Sequence, residues 1–196
     1  MSDGTRMPLA EAQALATRLG ALLAPACDRV LIAGSIRREV PTVGDIELLV
    51  LPTLADQADL FGETTATRNL LEERCADLLD AGTLGQRRDK NGVPRWGPRY
   101  KAAVFANVAV DLFAVLPPAQ WGVLSLIRTG PGAWSKQLVT PQRLGGWLPN
   151  WAHVRDGAIW HTDGSMLVTP EEADVWALLG RDPIAPAARQ APVAAV

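Results

Sequence analysis

The strand encoded by residues 45–51, Asp-Ile-Glu-Leu-Leu-Val-Leu, constrains the fold most strongly. Successive side chains on a strand leave on opposite faces. Asp45 and Glu47 therefore share one face, while Ile46 and Leu48 turn into a core on the other. Pro52 ends the strand. A third carboxylate, Asp111, sits in a second apolar strand, Ala-Val-Asp-Leu-Phe-Ala-Val at 109–115. A carboxylate there is costly to bury unless it is paired or bound to a metal. Adjacent strands with all three acids on one face can hold a pair of divalent ions.

The elements around these strands follow from periodicity. Leu9, Ala12, Leu15, Ala16, Leu19 and Leu22 recur at helical spacing, which predicts a helix over 9–23 with Pro8 in its first turn. A short strand at 29–33 runs into Gly34. Residues 53–65 show no clear period. Leu70, Leu71, Cys75, Leu78 and Leu79 predict a helix over 67–80, capped by Gly82. A strand at 84–88 leads to the Asn91-Gly92 turn, and strands at 100–105 and 108–115 form a hairpin around Ala106-Asn107. Pro117-Pro118 marks a lobe boundary. Helices are expected at 120–128 and 133–139, and a hairpin at 157–166 with Asp163-Gly164 as its turn. A further helix begins at Thr169, the cap, with Pro170 in its first position and Glu172 closing a capping box. This gives an α/β (α+β) chain of three parts. A catalytic domain spans 1–116, with a mixed or antiparallel sheet and helices on one face. A mainly helical lobe spans 117–184, and an Ala/Pro-rich disordered tail spans 185–196.

Of the 196 residues, 48% are apolar and 20% charged, enough for a core without disulfides or structural metal. Cys27 and Cys75 read as small buried hydrophobes. Residues 1–8 lack the apolar stretch of a signal peptide, and no apolar run approaches the roughly 18 residues of a membrane span. A cytoplasmic, monomeric protein without membrane contact is expected. The net charge of −2 does not announce a nucleic-acid binder. The strongest basic stretch is Arg87-Arg88-Asp89-Lys90 with Arg95, Arg99 and Lys101; it reads either as a solvated hairpin or as a basic patch near tryptophans whose faces can stack bases, with Lys101 placed to face the active cleft. The tryptophans of the last third, Trp121, Trp134, Trp147, Trp151, Trp160 and Trp176, read as core. His153 and His161 lack metal-ligand spacing.

Residues 34–50, Gly-Ser-Ile-Arg-Arg-Glu-Val-Pro-Thr-Val-Gly-Asp-Ile-Glu-Leu-Leu-Val, add an anion site to the acids. A Gly34-Ser35 turn after a strand lets backbone N–H groups approach an anion, and Arg37 and Arg38 can clamp phosphate oxygens. Two divalent ions ~3.5–4 Å apart, bridging the attacking and leaving oxygens of a phosphoryl transfer, account for all of these residues.

The spacing of Gly-Ser and Gly-Asp-Ile-Glu resembles the signature of the DNA polymerase beta-like (family X) nucleotidyltransferases. Val110-Asp111-Leu112-Phe113 resembles that family's third-carboxylate strand. Trp121-Gly122-Val123-Leu124, Arg128-Thr129-Gly130 and Ala133-Trp134-Ser135-Lys136 are similar to its nucleotide-selection segment. Residues 171–176, Leu179-Gly180, Pro186 and Arg189 are similar to its C-terminal end. The resemblance implies a palm-like domain plus a C-terminal nucleotide-binding lobe, without a lyase domain. It implies that Asp45, Glu47 and Asp111 ligate two Mg2+ (or Mn2+) ions and that Asp111 helps activate a 3′-hydroxyl. Gly34, Ser35 and Arg38 would bind the triphosphate, with Gly44 allowing close approach. Thr129 and Gly130 would lie by the sugar, and Ser135 near the base. Ile127-Arg128 stands where the polymerases carry two aromatics, which implies weak discrimination between dNTPs and NTPs. Ala109 stands where many carry arginine. The implied partners are a nucleoside triphosphate and a nucleic-acid 3′-end in DNA synthesis or repair. The alternatives are transfer to a protein or small-molecule acceptor, and a non-catalytic nucleotide or nucleic-acid binder.

Overall fold

The computed structural model describes residues 6–58 and 64–189. The first part runs β1 (Met7–Pro8), α1 (Leu9–Leu23), β2 (Cys27–Ile32), α2 (Gly34–Arg37), β3 (Thr42–Val43), β4 (Ile46–Pro52), β5 (Leu54–Ala58), β6 (Thr64–Asn69), α3 (Leu70–Asp80), β7 (Leu84–Gln86), β8 (Tyr100–Phe105) and β9 (Val108–Ala114). The second runs α4 (Trp121–Thr129), α5 (Gly132–Val139), β10 (Ala152–Arg155), β11 (Ala158–His161), β12 (Met166–Leu167) and α6 (Glu172–Leu179).

The central sheet has the order β2-β4-β9-β8-β7 and is mixed: β4 and β9 are parallel, and the other pairs are antiparallel. Ile46, Leu48 and Val50 of β4 and Val110, Leu112 and Ala114 of β9 share one core. The apolar stripes of α1 (Ala12, Ala16, Leu19, Leu23) and α3 (Leu71, Cys75, Leu78) close that face. The opposite face carries Leu49, Phe113 and Val115, which meet Trp121 of α4. One face of the sheet thus builds the first lobe's own core, and the other docks the second lobe.

Several boundaries move for local reasons. Helix α3 starts at Leu70 because the Asn69 side chain accepts from Leu71 N–H at 3.1 Å, while Thr67 and Arg68 pair with Asp56 and Ala55. That pairing places β5 and β6 where residues 53–65 showed no period. The hairpin at Ala106-Asn107 forms as expected, with both residues at positive φ (48° and 65°). The second lobe has three strands rather than one hairpin. The turn at Asp163-Gly164 joins β11 to β12, and a second turn at Asp156-Gly157 (φ 52° and 76°) adds β10. The tail is also corrected. Residues 186–188 form a 3-10 turn and Arg189 is only 3% exposed, so residues 186–189 of the expected disordered tail are ordered. Residues 1–5, 59–63 and 190–196 lie outside the described residues. Trp134, Trp147 and Trp176 pack edge-to-face or tilted in the second lobe, whereas Trp151 is exposed. Among the described residues no helix is long and apolar enough to cross a membrane.

Candidate functional site

Parallel pairing of β4 and β9 puts Glu47 directly opposite Asp111, and antiparallel pairing puts Ala102 opposite Asp111. Opposed residues leave a sheet on the same face. Asp45 lies just before β4, two residues from Glu47, and joins them. Two of the three carboxylates, Asp45 and Glu47, are perturbed. Burial first, then Asp45 and Asp111, push Glu47 up to about 7. Burial and then the charge of Asp111 hold Asp45 above its ordinary value.

The loop before the strand is shaped around Glu47. Ala33 N–H donates to Glu47 O at 2.8 Å. Gly34 adopts φ +58°, and a Cβ on it would fall inside the Glu47 carboxylate. Glycine is therefore required twice over, for its backbone angle and for its missing side chain. Ser35 follows, half-buried on the short helix α2. Around Gly44 a Cβ would meet nothing within 4 Å, so no part of the chain itself demands glycine there.

Three arginines ring the acids. Arg38 feels the charges of Glu47 and Asp45, and burial lowers its pKa against them. Its guanidinium donates to Thr129 O. Arg128 stacks its guanidinium 3.7 Å from the Phe113 ring centroid, near Glu47 and Asp111, with a buried Nε that has no partner among the described residues. Arg87 donates to Asp111 Oδ1, and the Tyr100 hydroxyl donates to the same oxygen at 2.8 Å. Arg87 also reaches Tyr100 Oη at 3.3 Å, and Tyr100 stacks on Phe113 at 5.1 Å.

Asp45, Glu47, Asp111, Gly34, Ser35, Gly44 and Arg38 are thus gathered on or beside one face, and Arg128 reaches it from the second lobe. Thr129, Gly130 and Ser135 have internal roles. Thr129 is fully buried; its hydroxyl accepts from Arg37 at 2.7 Å and its carbonyl from Arg38. Ser135 Oγ donates to Ile127 O at 2.7 Å, and Gly130 lies against the Trp134 ring. Arg37 is bound to Thr129 and Glu172 instead of facing an open anion site. Lys101 does not face the cleft. It pairs opposite Leu112, leaves on the helix side, and is 2% exposed with its ammonium on Glu72 and Gly97 O. The cleft cation from the basic stretch is Arg87. Sequence reasoning did not place Arg87, Tyr100 and Phe113 around Asp111 and Arg128. Their signal was register: an arginine two strands away from Asp111, and the lone tyrosine opening the strand beside it.

Among the described residues no three His, Cys, Asp or Glu side chains close into a metal-holding group. The Asp111 carboxylate is instead turned onto Arg87 and Tyr100. The donor chemistry nonetheless fits a hard divalent cation: three carboxylates, two of them (Asp45 and Glu47) with raised pKa, all oxygen donors, beside an open backbone at Gly44. The chain matches no known family model and none of the curated proteins.

Proposed function

We propose that this chain is a metal-dependent nucleotidyltransferase, a minimal family X-like DNA polymerase. It would add nucleotides from nucleoside triphosphates to a nucleic-acid 3′-end and release pyrophosphate. The observation that carries this reading is the convergence of Asp45, Glu47 and Asp111 on one sheet face, with burial and neighbouring carboxylates opposing the charges of Asp45 and Glu47. Such a cluster is costly unless a cation joins it.

Asp45, Glu47 and Asp111 would hold two magnesium ions, or manganese, which when bound supply Lewis-acid stabilisation of the reacting phosphate. The turn at Gly34-Ser35 presents backbone N–H groups to the triphosphate, and Arg38 and Arg128 supply positive charge beside it. The 3′-oxygen bonds to the α-phosphorus and the bond to the pyrophosphate oxygen breaks. The hydroxyl proton passes to the Asp111 carboxylate.

Two specific observations favour other readings. The net charge of −2 suits a protein or small-molecule acceptor. The engagement of Asp111 by Arg87 and Tyr100 suits a binder that performs no transfer. One assay separates the three. Labelled primer-template and single-stranded primer are each incubated with dNTPs or NTPs and magnesium or manganese, alongside the chain with labelled NTP alone. Primer extension lost in Asp45→Ala, Glu47→Ala and Asp111→Ala supports the polymerase. Label on protein with no extension points to another acceptor, and nucleotide binding without any transfer points to the binder.

A further inference from the structure

Residues 87–99 hold five cations (Arg87, Arg88, Lys90, Arg95, Arg99) and one carboxylate, Asp89. This is a net +4 inside a chain whose net charge is −2. The segment is a folded ladder. Arg88 pairs with Pro94 and Trp96 with Lys101 as antiparallel bridges, and Gly92 turns the chain at φ +78°. Asp89 closes that turn, its Oδ1 accepting from Asn91 N–H at 2.8 Å and Val93 N–H at 3.0 Å. Among the described residues no carboxylate pairs with Arg88, Lys90 or Arg95, and all three are exposed.

The Arg88–Pro94 bridge makes Arg87 and Arg95 the next opposed pair, joined by Arg95 N–H to Arg87 O at 3.4 Å. Opposed residues leave a ladder on the same face, so Arg95 stands on the side from which Arg87 reaches Asp111. The strip also has a direction. It begins at Arg87, whose guanidinium lies on Asp111, so a charged polymer running along it enters the carboxylate cleft.

We infer that residues 87–99 seat the phosphate backbone of a single nucleic-acid strand whose end reaches Asp111. This rests on the polymerase reading for the identity of the acceptor. Arg88 holds the turn through Gly92 O at 2.7 Å and Arg99 donates to Pro117 O at 3.1 Å, while Lys90 and Arg95 make no side-chain hydrogen bond among the described residues; these exposed cations on a fixed ladder match phosphate oxygens along a strand. The remainder of the chain, net acidic, repels the same strand and so confines it to this edge.

The test is anisotropy of a labelled single-stranded oligodeoxynucleotide in chelator, over a salt series. It compares wild type, R88Q/K90Q/R95Q, and a control R18Q/R143Q/R155Q that removes three cations elsewhere. The exposed side chains can be neutralised without touching Asp89, and circular dichroism checks that the ladder persists. Loss of three phosphate contacts should weaken binding by about tenfold or more and flatten the log–log salt slope by about two units. Lys90→Gln alone, at the turn, should flatten it by about 0.7. The inference is overturned if wild type does not bind, if the triple variant binds as wild type, or if the control loses as much. It is equally overturned if polyglutamate competes as well as the oligonucleotide. Nucleotide transfer is read separately: strip-dependent binding by a chain that transfers nothing would sink the polymerase reading and leave this one standing.

Discussion

Glu47 is held between a backbone that admits no side chain at Gly34 and two further carboxylates. Its charge is opposed by burial, Asp45 and Asp111 together, so in the ion-free chain it is a source of instability. Glu47→Gln should therefore raise Tm, by roughly 2–4 °C for each kcal/mol of repulsion relieved, while nearly abolishing transfer. Calorimetry of the ion-free chain beside the transfer assay checks both; a lower Tm would mean the carboxylate is satisfied where it stands. Arg87 acts in the opposite sense. It compensates Asp111 with a tethered cation, which a divalent ion held there would have to displace. Arg87→Ala should tighten manganese binding several-fold in an isothermal titration. Unchanged affinity would show that Arg87 does not compete for the Asp111 carboxylate.

Helix α6 begins two residues later than its sequence suggests, and the shift has a consequence. Thr169 and Glu172 do not form the cap; Glu171 is the cap residue, and its N–H donates to Asp174 Oδ2 at 2.8 Å. Glu172 is thereby released to bind Arg37 of α2 and Arg189 of the C-terminal segment. Burial raises the Glu172 pKa, but the hydrogen bonds from Arg189 and Arg37 outweigh it and hold the carboxyl below its ordinary value. A carboxyl with a depressed folded pKa contributes stability above its unfolded value, about 4.3. That contribution is lost as pH falls through the folded pKa. Wild type should lose stability over this acid range, and Glu172→Gln should lose less. At neutral pH Glu172→Gln should cost about 2–4 kcal/mol, because two arginines keep only a neutral partner. Denaturant midpoints at neutral and acid pH measure it; parallel pH profiles for the two proteins would place the linkage elsewhere. Arg37 thus joins two elements far apart in sequence.

The molecule has a core in each lobe, one under the sheet and one in the second lobe, bridged by the layer of Leu49, Phe113, Val115 and Trp121. Six of the seven tryptophans lie after residue 116, so intrinsic fluorescence reports the second lobe while far-UV dichroism reports both. Fluorescence and dichroism should give one midpoint in wild-type urea unfolding. In Glu172→Ala, with the Arg37 and Arg189 links cut, the fluorescence midpoint should come at lower urea than the dichroism midpoint. Coincident curves in the variant would show that the apolar layer alone couples the lobes. The acids sit where the first lobe's sheet faces α4 of the second, and Arg128 reaches them only across that junction.

Periodicity alone determined the covered face of the sheet. Alternation in residues 45–51 sorted Ile46 and Leu48 from Asp45 and Glu47, and helical spacing sets α1 at Leu9–Leu23 without reference to any partner. These patterns are local consequences of backbone geometry, so a single segment carries them. The Gly-Ser and Gly-Asp-Ile-Glu spacing likewise picked out residues that gather on one face. Tertiary structure decided which residues surround the acids. Arg87 and Tyr100 reach Asp111 only through the register of β7, β8 and β9, and Thr129 is closed off only because α2 packs against α4. Lys101 and Arg87 look alike in the sequence, yet strand parity buries one on the helix side and aims the other at Asp111. Which cation meets which carboxylate depends on registers and lobe contacts between distant segments, and no local pattern of charge encodes those.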